Sequence, residues 1–534
     1  MVNSRKKMIM LVSLASEINA LSHRLDDLSE RNRHYRDFTL ISLTFAIREV
    51  IACLSVYRTY ADATRGEISE RDRKFIEAAV DEAKKRNPRT ARAIFDFIGA
   101  TLALDNLSRF RAEDRQSVID FVMRFQQLTG PVMAKGVEDT AFYVYNRLIS
   151  LNEVGGDPAE FGISLETFHG HNEARLKLWP QTMLTLSTHD TKRGEDGRSR
   201  IDALSENAPE WRAALSRWKK FNEAHKTVAG GEAVPDRNDE YLFYQTLIGA
   251  WPAGGFDEKE LAPFRDRIVA YMEKAVKEAK VHTSWVNPNE AYDCAVEKFV
   301  RKVLDPAQSD GFLNDFNEFQ KPIAFAGMLN SLAQTLLKLT APGVPDFYQG
   351  SELWELSLVD PDNRRPVDFA KRRGFLEELT GRRAVDRAGM VCELLLHWQD
   401  GRVKLYLIHE ILNFRRDRCE LFQSGDYLPL YGEGKFREHV CAFARRLGAR
   451  WVIIAAPRLM RRLVGSSSLP LGDRVWQQER LGLPAGAPVT WRNILTGEGS
   501  RALPTKAGRS ALLLREIFAS FPVALLGSEP EADG

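Results

Sequence analysis

Along the first 130 residues, apolar positions recur at the three- and four-residue steps of amphipathic helices. Leu11, Leu14, Ile18, Leu21, Leu25 and Leu28 form one stripe and predict a single continuous helix face. Leu40, Leu43, Ile47, Val50 and Leu54 form a second, with Asp37 placed to cap its start. Ser69 followed three residues later by Asp72 is a capping-box variant opening a third helix, which ends near Asn87 and Pro88. Residues 89–104 and 113–128 predict two more, the last stopped by Gly130 and Pro131. None of these helices carries an obvious reactive group, so their stripes read as packing surfaces.

After Gly130 the texture changes. Residues 183–187 read as a strand of the buried kind, and 336–348 as a helix end followed by a second such strand. Helical patterns lie between them at about 206–228, 257–280, 289–304 and 316–339. Strands alternating with helices indicate a parallel sheet with crossover helices. After about residue 384 one helix, near 403–415, precedes short apolar segments at 427–430, 440–443, 451–456, 489–491 and 511–514, divided by glycine-rich turns. These predict a separate antiparallel β-domain. No internal repeat or low-complexity tract is seen.

Composition narrows the class of partner. The 534 residues are 44% hydrophobic and 28% charged, ordinary for a folded globular protein. Lys and Arg total 75 against 73 Asp and Glu, a balance of +2 that leaves no basic footprint for nucleic acid or acidic lipid. A neutral polar partner fits better. The five cysteines are odd in number, scattered and never spaced C-x-x-C, so neither a disulfide framework nor a zinc site is indicated, and a cytoplasmic location is expected. No stretch approaches the roughly 18 apolar residues of a membrane span. Arg5, Lys6 and Lys7 before an apolar run resemble the start of a secretory leader, but the first helical stripe continues through the supposed cleavage position.

Candidate chemistry lies in the loops. Asp190, in Leu186-Ser187-Thr188-His189-Asp190-Thr191-Lys192-Arg193, directly follows an apolar run and so falls at the carboxyl end of a parallel strand, where α/β barrels place catalytic groups. The polar run Lys192, Arg193, Glu195 and Asp196 could equally be a solvated helix start. The segment 130–140 holds Lys135, Glu138 and Asp139 ahead of Phe142, Tyr143 and Tyr145, the ingredients of a sugar site or of a loop and helix with an aromatic packing face. Asn152 to Pro158 is a turn by composition. His169 and His171, without further ligands, read as ordinary surface residues rather than a metal pair. Asp346 to Gly350 and Asp360 to Arg365 follow the second strand, on the same rim.

Taken together, stretches 130–158, 182–201 and 342–369 resemble signatures of the maltooligosyltrehalose synthase family, a branch of the α-amylase superfamily, and helices 10–60 resemble its helical insertion. The resemblance implies an α/β fold: a partial (β/α)8 barrel containing the later strands, an α-helical insertion over 1–129, barrel over 130–383, and a C-terminal antiparallel β-domain over 384–534. It implies an enzyme that turns the reducing-end α-1,4 bond of a maltooligosaccharide into an α,α-1,1 bond, without metal or organic cofactor. In such enzymes a carboxylate nucleophile and a carboxylic acid flank the bond at roughly 5 Å, as in retaining glycosidases, and a third Asp stabilises the distorted ring. Asp190 matches that third Asp, and His189 a hydroxyl-binding partner. Lys135 and Lys192 match positions near the reducing-end glucose, and Glu138, Asp139, Tyr143 and Arg193 complete the substrate-binding set.

The family's other two acids lie in motifs upstream of the insertion, one of the form D-G-x-R-x-D. Asp196-Gly197-Arg198-Ser199-Arg200-Ile201-Asp202 imitates it with one residue too many, and Asp202 reads as a helix residue. The expectation is therefore a carboxyl-terminal portion of the enzyme, inactive alone, with unpaired sheet edges and a separate amino-terminal half of the barrel as partner. The competing readings are a non-catalytic glucan-binding remnant and an amylase-type hydrolase.

Overall fold

The computed structural model describes residues 1–256, 259–465, 468–504 and 510–528. The chain divides into two compact units, residues 1–146 with 275–289 and residues 147–274 with 290–534.

The first unit is helical. It contains α1 (Val2–Val12), α2 (Ala15–Glu30), α3 (Leu40–Cys53), α4 (Glu70–Arg86), α5 (Arg92–Leu102) and α6 (Arg115–Met133). The predicted stripes fill its core: Ile18, Leu21, Leu25 and Leu28 of α2 and Leu43, Ile47 and Val50 of α3 are buried together. Three details differ from the sequence reading. The first stripe is broken between α1 and α2, because the amides of Ser13 and Leu14 both turn back to the Ile9 carbonyl; the resulting phase change leaves Leu11 60% exposed and buries Ile9 and Met10 instead. The cap of α3 is Thr39, not Asp37: its hydroxyl accepts from the Ser42 amide, while the Ser42 hydroxyl accepts from the Thr39 amide. Finally, α6 runs through Gly130 and Pro131. A residue before proline is normally driven from helical geometry by its own Cβ, and Gly130 has none. Ser69 caps α4 as expected, accepting from the Asp72 amide at 3.1 Å.

The second unit mixes helices and sheets. It opens with α7 (Leu165–Leu178), β1 (Met183–Leu184), α8 (Glu195–Ala203) and α9 (Ala208–Asn222), then the hairpin β2 (Thr227–Ala229) and β3 (Glu232–Val234) and α10 (Arg237–Ala250). Helix α11 (Leu261–Ala279) carries the chain across the unit boundary, and α12 (Glu290–Val303), α13 (Pro306–Thr340) and β4 (Val344–Pro345) follow. β1 pairs with β4 in parallel, Met183 opposite Val344. The pair is short and not buried as expected: Met183 is 66% and Val344 47% exposed. No other described strand joins it, so the apolar side chains have no flanking strand to cover them.

Helix α8 is gripped from two sides. A Cβ on Gly197 would stand 3.1 Å from the Gly249 carbonyl of α10, and one on Gly327 of α13 would overlap Arg200. Around α9, α10 and α13, Trp218 packs within 6 Å, centroid to centroid, of Tyr244, Phe312, Phe316 and Phe319. Its indole N–H donates to Asp315 at 2.6 Å.

Beyond β4 comes α14 (Phe369–Val385), and after residue 384, where one helix was expected before the strands, stand three, α15 (Arg387–Leu396), α16 (Arg402–Asp417) and α17 (Cys419–Ser424). The β-rich region follows as expected. Its strands are β5 (Asp426–Leu430), β6 (Gly432–Glu433), β7 (Val440–Leu447), β8 (Arg450–Pro457), β9 (Arg480–Gly482), β10 (Thr490–Asn493), β11 (Gly499–Arg501), β12 (Leu503–Pro504), β13 (Ser510–Leu513) and β14 (Ala524–Ser528), with short helices α18 (Met460–Val464), α19 (Gly472–Trp476) and α20 (Leu514–Ile517) between them. One antiparallel sheet runs β11-β10-β14-β8-β7-β5, the other β12-β13-β9-β6. The two-residue period of β8 makes the larger sheet a middle layer. Val452, Ile454 and Ala456 join a core built with α13 to α16, whereas Trp451, Ile453 and Ala455 join one built with the smaller sheet. Arg445, fully buried, donates to the Phe422 and Gly425 carbonyls at 2.9 Å and so caps the end of α17. Among the described residues no helix is long and apolar enough to cross a membrane.

Candidate active site

The residues singled out in the sequence fall in both units. In the first, the end of α6 widens into a π turn, Ala134–Glu138, closed by the Asp139 amide on the Ala134 carbonyl. Lys135 Nζ donates to Asp139 Oδ2 at 2.7 Å, and both side chains remain partly open to solvent. Glu138 is buried and accepts from the Tyr57 hydroxyl. Thr140 ties the turn down, its hydroxyl donating to the Lys135 carbonyl at 2.8 Å. Phe142 and Tyr143 are buried, so the aromatic face here packs inward.

In the second unit, β1 leads into a tight turn, Thr188 to Thr191. The Thr191 hydroxyl donates to the Thr188 carbonyl at 2.9 Å, and the Thr188 hydroxyl accepts from the Asp190 amide at 3.2 Å. Threonines at both corners of such a turn satisfy its backbone locally. His189 and Asp190 at its tip are exposed. Everything beneath them is buried and held.

Glu153 does much of the holding. Its carboxylate accepts the Lys192 amide at 2.7 Å, the Arg193 amide at 3.3 Å and the Val154 amide at 3.0 Å. The Arg193 guanidinium reaches the other way, donating to the Ile149 carbonyl at 3.2 Å and the Tyr271 hydroxyl at 2.6 Å. Gly194 donates its amide to the Ser357 carbonyl at 2.8 Å, and a Cβ there would stand 2.5 Å from the Glu355 carbonyl oxygen. From the rim segment after β4, Asn363 Nδ2 donates to the His189 carbonyl at 2.9 Å. The neighbouring Asp362 accepts a two-pronged Arg267 at 2.7 and 2.8 Å. Burial raises the Asp362 pKa, but the Arg267 hydrogen bond and charge outweigh it and leave the carboxyl below its usual range.

The start of α8 is not a solvated helix start. Lys192, Arg193, Glu195 and Asp196 are all less than 5% exposed. Glu195 and Asp196 pair there with Lys404 of α16, fully buried, whose ammonium donates to Glu195 Oε1 at 2.7 Å and to both Asp196 oxygens at 3.1 and 2.8 Å. Asp196 also accepts from the Ser331 hydroxyl and, at 2.5 Å, from the Glu355 amide. Burial opposes charge throughout this cluster. It pushes Asp196 up despite Lys404, whereas at Glu195 the lysines prevail and the pKa falls.

Lys338 of α13 borders the cluster, its ammonium over the Phe347 ring at 3.4 Å and donating to the Asp346 carbonyl at 2.9 Å. Burial lowers its pKa from 10.5 to about 8. The folded protein therefore binds fewer protons than the unfolded chain between pH 8 and 10.5, and Lys338 adds stability as pH rises through that window and loses it as pH falls through about 8. In denaturant titrations the Lys338→Met variant should lack this rise; parallel curves for variant and parent would refute the assignment.

His169, expected at the surface, is instead buried, with Nδ1 2.8 Å from the Tyr427 hydroxyl, whereas His171 is exposed as expected.

Comparisons with known proteins bear on what this arrangement is. No family model matches the chain. Putative maltooligosyl trehalose synthases from Mycobacterium tuberculosis strains CDC 1551 and H37Rv are each 39% identical over 407 residues, 76% of this chain and 45% of the relative. The solved structure of maltooligosyltrehalose synthase from Arthrobacter ramosus matches 98% of this chain with a TM-score of 0.76 and 34% identity. Over most of its length the chain is similar to maltooligosyltrehalose synthases. It spans about half the length of the curated relatives it matches, and 58% of the Arthrobacter chain. A Sulfolobus tokodaii hypothetical maltooligosyl trehalose synthase agrees over 99% of this chain with a TM-score of 0.67 and 28% identity, covering 57% of that structure.

Within a maltooligosyltrehalose synthase-like chain, the supports of the Asp190 turn are what the sequence reading missed. Glu153 looked like part of a turn and Lys404 carried no local signal, whereas Asn363 lies in the rim segment 360–365 that the sequence singled out without giving it a role.

Proposed function

We propose that this chain takes part in the isomerisation of maltooligosaccharides, converting the reducing-end α-1,4 bond to an α,α-1,1 bond, with Asp190 as the carboxylate that stabilises the distorted sugar ring. The observation that carries this reading is the Asp190 turn itself. An exposed carboxylate stands at the carboxyl end of a parallel strand, on a loop immobilised from beneath by Glu153, Arg193 and Asn363. Preorganisation of that kind is what electrostatic stabilisation of a transition state requires. His189 would bind a sugar hydroxyl. By the same resemblance to maltooligosyltrehalose synthases, Lys192 and Arg193 in the second unit, and Lys135, Glu138, Asp139 and Tyr143 in the first, are proposed as substrate-binding residues. Excluding water while the freed glucose turns over decides between isomerisation and hydrolysis.

We infer further that β1 and β4 are two of the later strands of a (β/α)8 barrel spanning residues 130–383, between the helical region 1–129 and the β-rich region 384–534. Parallel strands occur almost only in sheets covered on both faces, and the exposure of Met183 and Val344 supports flanking strands supplied from elsewhere in the assembled enzyme. The nucleophile and general acid are placed on those strands, which makes a separate amino-terminal half of the barrel a partner of this chain.

The test is incubation with maltopentaose, with and without a supplied amino-terminal half of a family member. Loss of reducing ends without release of free glucose is expected in the combined reaction, falling at least tenfold in Asp190→Asn. Conversion by this chain alone would overturn the division of labour, and glucose as the main product would favour a hydrolase.

A further inference from the structure

A concave site lies within the second unit, and residues 188–194 of the Asp190 turn are not part of its lining. It is a cleft of about 400 Å³ between the start of α7, the later turns of α8, the middle of α13 and the loop after β8, within the size range of small-ligand sites. Its polar lining is unusually rich in acceptors. Asn330 and Gln334, one turn apart on α13, spend their amide N–H groups on the Ser199 and Glu195 carbonyls at 3.2 and 3.3 Å. Asp202 and Glu206, one turn apart at the end of α8, add two carboxylates.

Burial raises the pKa of both acids. At Asp202 it outweighs the Ser150 hydroxyl and the Arg198 charge; at Glu206 it outweighs the amides and charges of Arg461 and Arg462. Asp202 is open to solvent and Glu206 half-buried, and Arg458 also lines the cleft, a cation that disfavours a metal ion there. The chemistry suits a neutral ligand with several hydroxyl donors and an apolar face to set against Phe168, which also lines the cleft. The opposite rim is strained. Leu459 holds φ +55° and ψ +51°, left-handed geometry unfavourable for a non-glycine residue, and observed strain of this kind clusters at ligand-binding positions.

We propose that this cleft is a saccharide-binding site for one or two hexose units, formed by Asp202, Glu206, Asn330 and Gln334, and separate from the Asp190 turn. Its ligand class follows from its own lining and stands whether or not Asp190 takes part in chemistry.

The test is calorimetric titration of the full chain with trehalose and with maltose, paired with hydrogen–deuterium exchange. Saturable binding is expected, with added protection at residues 456–464. Affinity should fall at least tenfold in Asp202→Asn/Glu206→Gln and stay within twofold in Asp190→Asn. Should the double variant unfold, Gln334→Ala is read by the same criterion. Absence of saturable binding, undiminished binding in the cleft variants, or protection confined to residues 188–194 would overturn the proposal. Binding of calcium ion alone that the double variant abolishes would also overturn it, by making the cleft a cation site.

Discussion

Lys404→Met should lower the unfolding free energy of the second unit by about 3–5 kcal/mol, the usual result of removing one partner from a buried ion pair. Lys404 is the cation shared by Glu195 and Asp196, all three at or near zero exposure. Methionine keeps most of the volume but leaves two carboxylates facing each other without a counter-charge. Tryptophan fluorescence during denaturation is a suitable readout, because only Trp285 of the ten tryptophans lies in the first unit. The deficit should shrink between pH 7 and 5, as acids that have lost their cation take up protons at higher pH than in the parent. Adding Glu195→Gln and Asp196→Asn should restore part of the loss at neutral pH. A cost below about 1 kcal/mol would mean the cluster does not organise the start of α8.

Gly327→Ala should be the next most damaging change, although alanine is the best helix former. Its Cβ would stand 2.4 Å from Arg200 Cγ and, more tellingly, 2.9 Å from Arg200 Cα and 3.1 Å from its backbone nitrogen. A side-chain atom can swing away, but backbone atoms of a packed helix cannot. Overpacking of this sort costs about 1–3 kcal/mol. The control is Gly374→Ala in α14, where nothing lies within 4 Å of the added methyl; the same substitution there should stabilise by up to about 1 kcal/mol. Equal effects at the two positions would show that propensity, not helix approach, decides at Gly327.

Local rules read well in this chain, and distant ones did not. The stripe of α3 and the Ser69 cap of α4 depend on neighbours within a turn, and both stand as expected. Of the described strands of the β-rich region, β5, β7, β8, β10 and β13 were legible from short apolar runs between glycines, whereas β14, inside the larger sheet, and the short β6, β9, β11 and β12 were not. Leu11 misled because a stripe is insensitive to a break that shifts the phase by part of a turn. Pro131 misled because a proline stop assumes that the preceding residue has a Cβ. The polar run at 192–196 looked solvated because its partner, Lys404, is more than 200 residues away, and no periodicity records an ion pair of that span. The same distance hid Asn363 from His189. The Asp190 turn was found because strand, turn and acid are contiguous; its supports were not, because they converge only in three dimensions.

The first unit is assembled from residues 1–146 and 275–289, so it cannot be finished in the order in which it is made. On the ribosome, at about 5–20 residues per second, its last segment emerges on the order of ten seconds after the first six helices. During that interval the nascent helical body must wait, with Thr140 still lacking Lys280, which later donates to it at 3.3 Å. A chaperone that recognises early intermediates would therefore meet this protein in a nearly complete state, lacking one late-arriving piece.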